Sequence, residues 1–147
     1  METAIRRGID SLSQVVKEFL IKDIELLRVC RTSVLLKESG VIFNDSLYHE
    51  LAEKCIKKQR IDGGWTDVEE TIWCTSFLNF NNEYSPSVDK ALKWLIGQKH
   101  KDSGWGKSER DTARIPVTAL LLYFLPQISS VKDFKWLENK WYQDHKF

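Results

Sequence analysis

The chain has 147 residues, of which 29% are charged and 42% apolar, and its formal net charge is +1. This balance excludes an intrinsically disordered chain, and the low net charge gives no sign of a nucleic-acid-binding surface. We therefore expect one globular domain over residues 1–147, with no nucleic-acid partner.

Three features predict a cytoplasmic protein. Residues 1–8 are polar and lack the apolar core of a signal peptide. The longest apolar run, residues 115–125, is too short for a transmembrane segment and contains Pro116. The cysteines all lie in apolar helical patterns, which is typical of reduced core residues: Cys30, Cys55 and Cys74.

Hydrophobic periodicity predicts seven helices and no strands, with the helices at residues 3–20, 22–38, 45–60, 67–81, 87–100, 111–125 and 131–144. Residues that favour a helix start lie at Asn44-Asp45-Ser46, Asp67, Ser85-Pro86-Ser87 and Asp111. Glycines that can take a positive φ after a helix are Gly40, Gly63-Gly64 and Gly104. Pro116 predicts a kink or a late start in the sixth helix.

The predicted helices alternate between two kinds. The odd-numbered ones are amphipathic and rich in Lys and Glu, so they need cover on one face only. The even-numbered ones, such as residues 71–80 and 117–125, are apolar nearly all round and need cover on more than one side. This alternation predicts an inner layer of even helices wrapped by an outer layer of odd ones.

Two stretches of the chain repeat each other. Residues 52–59 lead through Asp62-Gly63-Gly64 to Trp65, and a similar stretch 39 residues later leads from Gln98 through Asp102-Ser103-Gly104 to Trp105. Downstream, a register of 43 residues aligns Thr32, Thr75 and Thr118 in one of five matching columns. A repeat of this length is typical of stacked helical hairpins. In each copy we expect the Gln to cap the end of an outer helix and the Trp to fold over its amide.

This pattern resembles the QW repeat of squalene–hopene and oxidosqualene cyclases, whose α/α-toroid is shared by protein prenyltransferase β subunits. The residues that carry the resemblance are Gln59, Gly64, Trp65, Gln98, Gly104 and Trp105. The resemblance implies an all-α fold of the α/α-toroid type. Because the chain has only three inner and four outer helices, we expect a half-toroid.

A second resemblance concerns the segment after Trp65. Asp67, Glu69, Glu70 and Thr71 match the Asp-x-Asp-Asp-Thr segment of class II terpenoid cyclases. The resemblance implies that Glu69 is a proton donor positioned by the other three residues. The alternative is structural, because Asp67 followed by Glu70 forms a capping box and acids in a first turn suit the helix dipole.

Aromatic residues on the inner helices could line a binding face: Trp73, Phe77, Phe80, Tyr123 and Phe124. Such rings stabilise carbocations, although a stripe at this spacing is also typical of an ordinary core. No Asp-Asp-x-x-Asp segment is present, and the histidines fall on outer helices or loops. We therefore expect no metal and no cofactor.

The short ring predicts how the protein functions. Half a toroid leaves the concave faces of its inner helices open, and a large open apolar face is typical of a partner surface. We expect a homodimer that completes the ring, or a larger protein partner. The predicted function is binding of an isoprenoid-like ligand or a protein partner on the aromatic face. The alternative is a small class II terpenoid cyclase whose cavity is completed by dimerisation.

Overall fold

The computed structural model describes residues 26–145, together with 3–8, 10, 11 and 14. Within these ranges every regular element is a helix, so the predicted all-α class is confirmed. The chain forms two compact units, Met1–Lys58 and Gln59–Phe147. A single domain and a toroid-like ring both stay predictions.

The first unit contains α1 and α2, which have the bounds Leu26–Glu38 and Asp45–Lys57. Gly40 follows α1 with a φ of 89°, and its N–H bonds to the Lys37 carbonyl, so the predicted C-cap is confirmed. Asn44 is the N-cap of α2, where its Oδ1 accepts from the backbone N–H groups of Ser46 and Leu47. The described residues 3–8, 10, 11 and 14 are helical. The rest of the predicted helix 3–20, and residues 22–25 of the next one, lie outside the described residues.

The second unit contains four helices, whose bounds are α3 Val68–Leu78, α4 Ser85–Gln98, α5 Ile115–Phe124 and α6 Val131–Asp144. The apolar helices α3 and α5 pack on each other, α4 packs on α3, and α6 packs on α5. Their shared core consists of Val68, Ile72, Trp94, Leu95, Trp105, Val117, Leu121, Leu122 and Leu125. Inside this unit, the two apolar helices are therefore each covered by an amphipathic one, as their sequence patterns predict.

Two helix starts of the second unit test the predicted caps. Asp67 is the N-cap of α3, and its Oδ1 accepts from the Glu70 N–H at 2.7 Å, so this prediction is confirmed. Asp111 is not a cap, and that prediction was wrong: α5 begins at Ile115, with Arg114 at the N-cap position. Pro116 explains the late start, because proline favours a first helical turn and restricts the residue before it.

Candidate functional site

The first Gly-Trp turn is fixed by hydrogen bonds on both sides. The Gln59 side-chain nitrogen donates to the Gly63 carbonyl at 2.8 Å and to the Ser87 carbonyl, in the first turn of α4, at 3.0 Å. The Trp65 side chain is buried, and its backbone N–H donates to Thr71 Oγ1 at 2.9 Å. The turn is thereby tied to the beginnings of both α3 and α4.

The second Gly-Trp turn repeats this geometry. The His100 N–H donates to the Gly104 carbonyl at 3.0 Å, and the Arg60 N–H donates to the Gly64 carbonyl at 2.8 Å in the first turn. The Trp105 N–H donates to Thr118 Oγ1 at 2.9 Å, as the Trp65 N–H does to Thr71. The repeat seen in the sequence is therefore a repeat of backbone and hydroxyl contacts.

In each turn a glycine lies directly against a tryptophan of the next outer helix. A Cβ on Gly64 would lie 2.8 Å from the Trp94 ring. A Cβ on Gly104 would lie 3.1 Å from the Trp136 ring and 2.9 Å from the Ala113 side chain. Because such distances are too short for a side chain, both positions require glycine for packing.

One predicted repeat residue is replaced by its neighbour. Gln98 is the last residue of α4, while Lys99 takes the contacts expected of it. The Lys99 ammonium donates to Asp133 Oδ2 at 2.8 Å and lies 4.9 Å from the centre of the Trp105 ring. Lys99 precedes Trp105 by the same number of residues as Gln59 precedes Trp65. Counting back from the tryptophans would have identified it.

Asp133, in the first turn of α6, is the partner of this lysine. Its carboxylate is fully buried, and Oδ2 also accepts from the Ser130 backbone N–H at 2.8 Å and from the Ser130 hydroxyl at 3.0 Å. Burial alone would raise the Asp133 pKa, but the hydrogen bonds from Lys99 and Ser130 outweigh it and hold the pKa below its ordinary value. Asp133 is thus an ionised anchor between the second turn and α6.

The threonine register also differs from the prediction. The 43-residue register pairs Thr75 with Thr118, but the structure shows that Thr71 matches Thr118. Thr75 instead donates to the Thr71 carbonyl within α3, at 2.6 Å. The cause is a longer connection between Trp105 and α5 than between Trp65 and α3. A single fixed period therefore cannot align both the turns and the helices that follow.

The longer connection covers the proposed proton-donor segment. The Lys107 carbonyl accepts from the backbone N–H groups of Val68 and Glu69, at 3.0 and 3.3 Å. The Lys107 ammonium lies 3.9 Å from Glu69 Oε2. Thr71 Oγ1 donates to the Asp67 carbonyl at 2.7 Å. The four predicted catalytic residues are thus brought together at the start of α3, where Asp67 is the N-cap, the Thr71 hydroxyl bonds to the backbone, and Glu69 pairs with a lysine.

The predicted aromatic face divides into two groups. Trp73 contacts Phe124, and Phe124 contacts Tyr123, with ring centres 5.3 and 4.8 Å apart. Phe77 and Phe80 form a separate pair at 5.5 Å. Trp73 and Phe77 are buried, whereas Tyr123 is 67% exposed. Only part of the predicted face is therefore available to a ligand.

The sequence reasoning missed an exposed apolar surface on α6, which we name the α6 stripe. It consists of Val131, Phe134, Trp141 and Tyr142, whose exposed fractions are 70, 51, 51 and 63%. Asp133 is buried and Leu137 packs against the core, so the stripe borders the covered face of α6. Phe134 follows Val131 by three residues, and the other two members follow Phe134 by seven and eight. This spacing is typical of one helix face, so the stripe was visible in the sequence.

No protein-family model, curated protein or solved structure matches the chain. The resemblance to the QW-repeat cyclases therefore stays a prediction from the sequence. Among the described residues, none of the helices has the length and apolar character needed to cross a membrane.

Proposed function

We propose that this chain is a helical-repeat interaction module whose α6 stripe binds an amphipathic helix of a partner protein. The observation that carries the proposal is the exposure of four large apolar side chains on one face of α6. Contiguous apolar patches on a protein surface are typical of interaction sites. A stripe along a helix fits a second helix, which buries apolar residues of successive turns against it.

The repeat supports a helix as the occupant. Trp94 on α4 and Trp136 on α6 occupy matching places, because each packs on the glycine of its Gly-Trp turn. Phe134 precedes Trp136 by two residues, as Leu92 precedes Trp94. Leu92 packs against the core that α4 shares with α3 and α5. By this comparison, Phe134 lies where a further helix would continue the stack.

A charged residue between the members of the α6 stripe selects the partner. Val131, Phe134, Glu138, Trp141 and His145 are spaced by three and four residues in alternation, as in the contact seam of a coiled coil. Glu138 stands at the middle of this seam and is exposed. Antiparallel pairing of two copies along α6 would bring the two Glu138 carboxylates together, which is unfavourable. A partner helix with Lys or Arg at its centre would instead pair with Glu138.

Two synthetic helical peptides test this proposal. Both carry a leucine seam with the same spacing and a balanced outer face, and they differ only in a central Lys or Glu. We expect the Lys peptide to bind in the micromolar range by isothermal titration calorimetry, and the Glu peptide to bind at least about fivefold more weakly. Burying the exposed half of Phe134 is worth about 1 kcal/mol, so Phe134→Ser should weaken binding about fivefold.

Tyr123→Ser is the matched control, because Tyr123 is an exposed aromatic residue of α5 outside the stripe. Equal losses for Phe134→Ser and Tyr123→Ser would contradict a site on α6. Light scattering supplies a second test, since we expect a mass near 17.2 kDa for the free chain. A dimer that Phe134→Ser dissociates would assign the stripe to a second copy instead.

The ligand-binding and cyclase functions suggested by the resemblance are supported less well. Asp67 caps α3, the Thr71 hydroxyl joins that helix to the first Gly-Trp turn, and Lys107 pairs with Glu69. Trp73 and Phe77 have little exposed surface with which to contact a substrate. Turnover of an isoprenoid substrate that Glu69→Gln abolishes would be the evidence for a cyclase.

A further inference from the structure

A cavity of about 420 Å³, which is wide open to solvent, lies between the second Gly-Trp turn and α6. The turn contributes Lys101, Asp102 and Ser103. Two rows on α6 form the opposite wall, in each of which successive side chains stand four residues apart: Lys132, Trp136 and Lys140, and Lys135, Asn139 and Gln143. The volume falls within the usual range of small-molecule sites, which is roughly 300–1,000 Å³.

The lining of this cavity is strongly basic, although the whole chain is nearly neutral. Four lysines face one aspartate there, while the formal net charge of the chain is +1. Of the four, Lys140 has an ion pair with Asp144 at 3.6 Å, outside the lining. Lys101, Lys132 and Lys135 are exposed, and like charges collected around one concave surface raise the local positive potential, which attracts anions.

At the matching place in the first Gly-Trp turn, the backbone lies directly against α4. A Cβ on Gly63 would lie 2.4 Å from the Lys90 carbonyl oxygen, so that turn touches α4 directly. Ser103 occupies the matching position in the second turn, and its side chain lines the cavity. Ser103 also has a φ of 81°, a conformation that costs a residue other than glycine roughly 1–2 kcal/mol. The second turn thus differs from the first at the position that lines the cavity, and its backbone is strained there.

We propose that this cavity binds a small molecule that carries at least two phosphate groups. Lysine ammonium groups bind phosphate as point charges, and four of them exceed what a single carboxylate could neutralise. The amides of Asn139 and Gln143 and the Ser103 hydroxyl add neutral hydrogen-bond donors. The Trp136 ring, in the same wall, offers a flat apolar surface to a base or another planar group.

This site is separate from the α6 stripe. The two sites share no residue: Lys132, Trp136 and Lys140 lie on a different face of α6 from the stripe, whereas the row that begins at Lys135 lies next to it. Failure of peptide binding to the stripe would therefore leave the cavity proposal intact, and the reverse also holds.

Calorimetric titrations at physiological ionic strength test the proposal with three probes: inorganic phosphate, tripolyphosphate and magnesium-free ATP. We expect tripolyphosphate and ATP to bind in the micromolar range and phosphate at least about tenfold more weakly, because each added phosphate charge contacts further lysines. ATP binding at least threefold tighter than tripolyphosphate would assign a nucleoside polyphosphate, through Trp136. Equal affinities would assign the polyphosphate alone.

Two double variants, each of which removes two positive charges, distinguish binding in the cavity from general electrostatic attraction to the protein. Lys132→Gln with Lys135→Gln removes two cavity lysines and should weaken tripolyphosphate binding about tenfold or more. Lys90→Gln with Lys93→Gln removes two exposed lysines at the matching places on α4 and should change it less than about twofold. Equal losses in the two variants, or no binding of tripolyphosphate at 1 mM, would overturn the proposal.

Discussion

The hydroxyl of Thr118 offers a direct test of the repeated turn. Thr118 is fully buried, and its Oγ1 accepts from the backbone nitrogen of Trp105 at 2.9 Å. Thr118→Val keeps the shape of the side chain but removes the acceptor, so a buried N–H loses this partner. Such a loss costs about 1–3 kcal/mol, and we expect about 2 kcal/mol here.

Urea unfolding followed by circular dichroism measures this cost. For a chain of this size the urea dependence of the unfolding free energy is about 2 kcal/mol per molar, so the midpoint should fall by about 1 M. Thr71→Val should lower it by a similar amount, because Thr71 accepts from the Trp65 N–H at the same distance. Thr118→Ser keeps the acceptor and is the matched control for lost hydrogen bonding.

Thr75→Val distinguishes the two possible registers. The Thr75 hydroxyl donates to a carbonyl within its own helix. Removing this hydroxyl therefore takes no acceptor away from a buried N–H. We expect a loss below about 1 kcal/mol for Thr75→Val. A larger loss for Thr75→Val than for Thr71→Val, or no loss for Thr118→Val, would refute the register drawn from the structure.

Three further changes test other contacts. Gly64→Ala should cost about 1–3 kcal/mol of unfolding free energy, because its methyl group would meet the Trp94 ring, whereas Gly97→Ala, with open space around it, should be neutral or stabilising; equal effects would contradict the packing. The Asp133 pKa is lowered by folding, so ionised Asp133 stabilises the fold above the unfolded pKa of about 3.9, and this contribution is lost as the pH falls through the lower folded pKa. Urea unfolding from pH 2 to 7 should therefore show that the unfolding free energy of Asp133→Asn depends less on pH in this acidic range than that of the wild type. An unchanged profile would contradict a stabilising role of the ionised Asp133 carboxylate. Glu69→Gln should change stability by less than about 1 kcal/mol, since its ion pair is long and partly exposed, and a larger loss would show that the carboxylate is structural.

Local signals in the sequence predicted the ends of several helices. Asn44 and Asp67 are N-caps, and Gly40 closes a helix, because each of these choices depends on hydrogen bonds or backbone angles within a few residues. The two Gly-Trp turns were also visible, since the glycines and tryptophans are required at close backbone contacts. Asp111 failed as a cap because Pro116 governs the start of the same helix.

Contacts between distant parts of the chain were harder to predict. The role of Lys99 depends on Asp133, which is 34 positions away, and the capping of α3 depends on the Lys107 carbonyl in a later connection. Periodicity shows that a helix face is apolar, but it does not show whether another element covers it. For this reason Trp73 was expected to line a binding face and is buried, while the exposed Trp141 went unnoticed.

A charge exchange at the centre of the α6 stripe tests the proposed function most directly. Glu138→Lys should reverse the preference between the two helical peptides in a calorimetric titration, so that the peptide with the central Glu binds at least about fivefold more tightly than the one with the central Lys. The wild-type chain should show the opposite order under the same conditions. An unchanged preference in Glu138→Lys would contradict a partner helix on the α6 stripe.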